Sequence, residues 1–153
     1  MSCFFSNSCD NVYKHYPDVR GLIEVIENEI CAEMFHVLER IDYNSFFHDP
    51  SIAFQEVLRF LESDKEFYKV MLQTNESRTF LEKMKRLFEQ YMQATDNISE
   101  EIRGTDYYKI RISFFAGGIT NLLIDWITEA LQCSKEEIIS ELTFLLRSGF
   151  ERR

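Results

Sequence analysis

The sequence predicts an all-α fold, a single bundle of about six or seven helices. Three observations predict it. Apolar residues recur at gaps of three and four along almost the whole chain after Asp18. Strand-like alternation of useful length is missing, and so are the Asn-Gly and Asp-Gly pairs that close hairpins. The 153 residues include only 5 Gly and 2 Pro, against 14 Phe, 7 Tyr and 1 Trp. That composition excludes disorder and Pro/Gly-rich classes. A chain of this length buries roughly 70% of the surface its unfolded form exposes, so one domain can hold together without a disulfide or a metal.

The first helix is expected from Val19 to about Ile41, with Pro17 ending whatever precedes it and Asp18 as its N-cap. Leu22, Ile23, Ile26, Ile30, Met34, Val37 and Leu38 mark its apolar side, and Glu24, Glu27, Glu33 and Glu39 fall among the wet positions. Turn formers fill residues 42–50. Asp49 and Pro50 then open a helix to about Leu61, Asp49 as cap and Pro50 in the first turn. Ser63 and Asp64 break it and cap a short helix, Lys65 to Gln73. Ser77 heads one of roughly twenty residues carrying Phe80, Leu81, Met84, Leu87, Phe88, Tyr91 and Met92. The polar stretch 96–104 reads as loop or frayed end, and Thr105 caps a long apolar helix, Tyr107 to Leu131. Ser134 with Glu137 three residues on forms a capping box for the last helix, which Gly149 ends.

Composition also narrows function. The net charge of -9 disfavours nucleic-acid binding by the surface as a whole, because phosphate neutralisation needs clustered Lys and Arg. No uninterrupted apolar run reaches membrane-spanning length, so no membrane partner is expected, and the N-terminus lacks the pattern of a signal peptide. Cys3, Cys9, Cys31 and Cys133 have no zinc-ribbon or thioredoxin spacing, which leaves reduced thiols in the cytoplasm and neither a metal nor a cofactor. Phosphate loops, nucleophile elbows and zinc-protease motifs are missing. Cys31, His36 and a neighbouring Glu share a helix, yet free Cys is most often simply buried. An enzyme is therefore not expected.

Two segments are not generic. Residues 11–18, Asn-Val-Tyr-Lys-His-Tyr-Pro-Asp, are followed at 21–29 by Gly-Leu-Ile-Glu-Val-Ile-Glu-Asn-Glu; residues 113–126 read Ser-Phe-Phe-Ala-Gly-Gly-Ile-Thr-Asn-Leu-Leu-Ile-Asp-Trp. Together they resemble the TetR family of transcriptional regulators in its Gram-positive form. There a recognition helix ends in Thr-Phe-Tyr-x-His-Tyr-x-Asp; Tyr13, His15, Tyr16 and Asp18 match, and Asn11 and Val12 stand at the Thr and Phe positions. The Gly-Gly pair with its aromatics and Trp126 resembles the family's penultimate helix.

The resemblance implies residues 1–18 as a remnant of the DNA-binding helix-turn-helix and residues 19–153 as a ligand-binding and dimerisation domain. Only twelve residues precede Tyr13, where a family member has two helices and a turn, so the helix-turn-helix is expected to be incomplete. Asn11, Tyr13, Lys14 and His15 are the remnant's candidate DNA contacts, and Lys14 is its one Lys or Arg. DNA is expected as a partner only if the missing helices are supplied. The alternative function is a helical interaction module that pairs with, or antagonises, a full-length regulator.

The last two helices are apolar on more than one side, which calls for burial all round, either centrally in the monomer or against a second copy. The resemblance implies a homodimer, with Ile119, Leu122, Leu123, Trp126, Ile127, Ile138, Leu142 and Leu145 as its interface. Gly117 and Gly118 cost about 1 kcal/mol each relative to Ala, and close approach of another helix is the favoured offset. The resemblance also implies a pocket for a small apolar or amphipathic ligand, with Tyr68, Met71, Phe80, Met84, Phe88, Tyr91, Arg111 and Phe115 as its candidates and Tyr68, Tyr91 and Arg111 as polar handles. On the residues alone, an ordinary core explains the same pattern equally well.

Overall fold

The computed structural model describes residues 19–42, 45–46, 48–73, 77–95 and 98–150. Seven helices and no strand lie among these residues: α1 (Val19–Glu39), α2 (Ser51–Glu62), α3 (Lys65–Leu72), α4 (Ser77–Thr95), α5 (Glu100–Arg103), α6 (Asp106–Ile127) and α7 (Lys135–Phe150). The expected N-cap Asp18, the Tyr13–Tyr16 segment, Cys3 and Cys9 lie outside the described residues.

The helix starts follow the local chemistry. The Asp49 carboxylate accepts hydrogen bonds from the Ser51 amide at 3.2 Å and the Ser51 hydroxyl at 2.6 Å. The Ser51 hydroxyl bond is the main reason that the Asp49 carboxyl is held below its ordinary range. At α7 the capping box closes as expected: the Ser134 amide donates to Glu137 Oε2 at 2.7 Å, and the Glu137 amide donates to Ser134 Oγ at 3.1 Å. Thr105 occupies the N-cap position of α6, but its hydroxyl donates backward to the Ile102 carbonyl at 2.6 Å. It thereby serves the end of α5, a helical turn within the stretch expected to be loop.

The long apolar helix also ends earlier than periodicity predicts, at Ile127 rather than Leu131. Glu129 takes a positive φ of 67°, and the Leu131 amide returns to the Asp125 carbonyl at 2.9 Å. Such backbone is disfavoured for a residue with a Cβ. The turn is held from outside: Glu129 pairs with Lys65 at 3.5 Å and Lys69 at 3.1 Å, and the Trp126 indole N–H donates to the Cys133 carbonyl at 3.1 Å.

Packing centres on α4 and α6, which form the most extensive helix pair. α1 lies against α2 and α4, α2 against α7, and α3 in the angle between α2, α4 and α6. α4 contributes Phe80, Met84, Leu87, Phe88, Tyr91 and Met92 to the core, and α6 contributes Tyr108, Ile112, Ala116, Ile119, Leu123 and Ile127. By length and composition α6 is apolar enough to cross a membrane, unlike the expectation from uninterrupted runs, but it carries one side of this core.

One expected surface residue is buried. Glu27 is only 2% exposed, because its register on α1 continues the row Ile30, Met34 and Leu38. Its Oε1 accepts from Lys83 Nζ on α4 at 3.4 Å. Removing one member of a buried pair strands the other. Lys83→Ala is therefore expected to lower unfolding stability by about 2–3 kcal/mol, near the low end for buried pairs because Lys83 keeps some solvent. Chemical denaturation measures it, and a Glu27→Met/Lys83→Met double variant is expected to recover most of the loss.

Candidate functional site

Where α2, α3, α4 and α6 converge, Leu61, Leu72, Phe80, Met84, Phe88, Thr120, Leu123, Ile124 and Ile127 surround a cavity of about 20 Å³. That is room for about one water, far below the several hundred Å³ of an occupied small-molecule site. The lining carries no charged side chain, and Thr120 supplies its one polar side chain.

Of the eight residues expected to form a pocket, Phe80, Met84 and Phe88 line this cavity. The rest pack elsewhere. Tyr68 is buried against Phe60 and Phe67, with ring centroids 5.8 and 5.4 Å away. Burial, aided by the negative charges of Glu33 and Asp64, pushes its hydroxyl pKa up to about 12. Tyr91 packs edge-on against Phe46, centroids 5.0 Å apart. Arg111 sits over the Tyr107 ring at 5.6 Å, Met71 is partly buried at the core's edge, and Phe115 packs on Phe114. The three expected polar handles therefore do not line the cavity, and Thr120 does. Its signal in the sequence was its place in the row Ile112, Ala116, Thr120, Leu123 and Ile127 at gaps of four and three.

The expected interface divides similarly. Ile119, Leu123, Ile127, Ile138 and Leu142 are buried within the chain itself, so they are core residues. Leu122 and Trp126 are partly buried, and Trp126 is engaged with Cys133 and lies 5.8 Å from Lys65 Nζ. Leu145 alone of the eight is exposed, at 46%. The large apolar side chains that α6 and α7 do expose are chiefly Ile110 at 67%, Phe114 at 73% and Phe144 at 63%. Gly118 stands one turn beyond Phe114. A Cβ there would meet nothing within 4 Å, and one at Gly117 would meet only Lys85 Cε at 3.9 Å. The glycine pair thus does not serve close packing among the described residues. Gly149 does: a Cβ there would run into the Phe115 ring.

A wider groove of about 550 Å³ separates α2 from α7, but its cations are engaged, Arg59 with Glu56 at 2.7 Å and Lys135 with Glu62 at 3.1 Å. His36 pairs with Glu39 at 3.2 Å, and the Cys31 thiol faces Met84 Sδ at 3.9 Å, its pKa pushed up chiefly by burial. The two make no catalytic pair. Among the described residues no cluster of His, Cys, Asp or Glu is arranged to hold a metal. Asn11, Tyr13, Lys14 and His15 lie outside the described residues.

The described residues thus form a helical bundle with a small apolar cavity at the α4–α6 seam and an apolar face left on the surface of α6 and α7. The chain belongs to the TetR-type transcriptional regulators: residues 48–148 match the family described as the transcriptional regulator C-terminal region. No curated protein and no solved structure matches it.

The Glu129 clamp sets a pH test. Lys69 and Lys65 hold the Glu129 carboxyl below its ordinary range. A depressed carboxylate stabilises the fold above its unfolded pKa and loses that contribution as pH falls through the folded value. Glu129→Gln is therefore expected to melt slightly below wild type at pH 7 and level with it near pH 3, in thermal unfolding followed by circular dichroism. An equal gap at both pH values would overturn the assignment.

Proposed function

We propose that these residues form the effector-binding and dimerisation body of a cytoplasmic transcriptional regulator, and that the chain regulates by changing helix positions rather than by catalysis. The observation that carries this is the pairing of a cavity at the α4–α6 seam with an unsatisfied apolar face on the outer side of α6 and on α7. Family membership supports the same assignment. A ligand that binds one arrangement of the helices better than another shifts their population. In a two-fold dimer that shift would alter the separation of two DNA-reading heads.

The proposed interface is Ile110, Phe114, Gly118, Phe144 and Leu145, a revision forced by the burial of the inner residues. It also gives the glycines a purpose. Among the described residues nothing lies within 4 Å of a Cβ built at Gly118, and a helix from a second copy crossing there would offset the cost of the glycine. The exposed face would serve equally to pair with a DNA-competent relative, which is how the interaction-module reading would operate.

DNA contact by this polypeptide would rest on Asn11, Tyr13, Lys14 and His15, with one cation among them. Tight operator binding needs more phosphate neutralisation than that. Nanomolar operator affinity of these 153 residues in fluorescence anisotropy would overturn this part.

The dimer has its own test. Light scattering at micromolar concentration is expected to give twice the chain mass. Phe114→Glu is expected to give a monomer with an unchanged circular dichroism spectrum. Each substitution counts twice across a two-fold axis, and a central aromatic is worth about 2 kcal/mol or more. A wild-type monomer at these concentrations would overturn the interface.

A further inference from the structure

The surface grooves differ in charge. Asp49 and Glu136 stand beside Arg59 and Lys135 in the α2–α7 groove, and Asp42 and Glu56 stand beside Arg40 in one where α1 ends against α2. A third groove, of about 330 Å³, separates α1 from α4. Ala32 and Phe35 line it from α1, and Lys83, Arg86, Leu87 and Gln90 line it from α4. Among the described residues no carboxylate lines this groove. In a chain of net charge -9 that is a local reversal of sign.

The two cations are held unequally. Lys83 reaches Glu27 Oε1 at 3.4 Å, a long contact, and Glu27 Oε2 accepts no hydrogen bond among the described residues. An ammonium has three N–H donors, so Lys83 keeps donors to spare. Arg86 is exposed and makes no ion pair among the described residues. Glu89, three residues on, faces Lys85 at 3.9 Å instead. Side chains three residues apart on a helix are neighbours, so Lys83 and Arg86 repel each other. An anion between them removes that cost. The groove between the cations is apolar, since Leu87 is buried and Phe35 is packed against the core. A bare inorganic anion would leave that surface wet, and an anion with an apolar body would cover it.

We propose that the α1–α4 groove binds a small organic monocarboxylate, its carboxylate between Lys83 and Arg86 and its apolar body against Phe35 and Leu87. The site lies on the surface of the bundle and requires no occupant of the cavity at the α4–α6 seam. Its contacts come from both helices, so occupancy fixes α1 against α4 and stabilises the fold by mass action.

Phenylacetate, 2-phenylethanol and 2-phenylethylammonium share an aromatic body and differ in charge. Their binding to the whole chain is measured at low ionic strength by NMR shifts of the Ala32 and Leu87 methyls and the Gln90 side-chain amide. Phenylacetate is expected to bind about tenfold more tightly than 2-phenylethanol, the range of one charge-assisted hydrogen bond, and the ammonium probe more weakly than either. Arg86→Gln is expected to lower phenylacetate affinity to the level of 2-phenylethanol, leave 2-phenylethanol binding unchanged, and melt as wild type without ligand. Ala32→Glu places a carboxylate in the groove at an exposed helical position. It is expected to abolish phenylacetate binding and keep the helical circular dichroism spectrum.

Equal affinity for the three probes, or unchanged phenylacetate affinity in the two variants, would overturn the selection of anions by this groove. Shifts at Leu72, Ile124 and Ile127 in place of Ala32 and Leu87 would move the ligand to the core cavity and overturn the site. No shift with phenylacetate at millimolar concentration would overturn the inference outright, and would leave the regulatory reading standing.

Discussion

The seam between α4 and α6 is the constraint on which the rest depends. Phe80, Met84 and Phe88 from one helix meet Thr120, Leu123 and Ile127 from the other. α1 and α3 also pack against α4, and α2, α3, α5 and α7 reach α6. α1 is tied to the seam by apolar contact and by Glu27 to Lys83, one residue before Met84 in the cavity wall. A displacement of α4 by something entering the cavity would be felt by α1 at that ion pair. The element at the N-terminal end of the bundle is thus mechanically joined to the element that lines its interior.

Satisfying the seam fixes what remains outside. An α-helix has one side for each neighbour, and α6 uses Ile112, Ala116, Ile119, Leu123 and Ile127 on the core. Ile110, Phe114 and Gly118 are then left facing outward. The same holds for α7, where Ile138, Leu142 and Leu146 are buried and Phe144 and Leu145 are not. Phe115 against Gly149 locks the two helices together beside this face. The outward surface is therefore a rigid consequence of the core.

Much of the architecture was legible. Asp49, Ser134 and Glu137 mark helix starts through bonds made within a few residues, and those bonds form in the structure. The run of α4 was equally plain, since six of its large apolar residues fall on one side and all six are buried. Reading failed where the outcome depended on distant groups. The end of α6 is decided by Lys65 and Lys69, some sixty residues away, through Glu129. Glu27 was placed in water because it is an acid, and Lys83 makes it an interior residue. The cavity was half legible: its α4 wall was foreseen, whereas on α6 Leu123 and Ile127 were assigned to an interface and Thr120 and Ile124 to neither set.

The sequence by itself determined the fold class, the positions of the helices and the amount of apolar surface they must hide. These follow from propensity, capping and periodicity, which act over one or two turns. Only the tertiary structure decided which face of α6 and α7 meets the core and which is left exposed. A helix apolar nearly all round gives periodicity no contrast from which to read direction. For the same reason, Thr120 became conspicuous only when the packed structure showed a buried hydroxyl with nothing to bond.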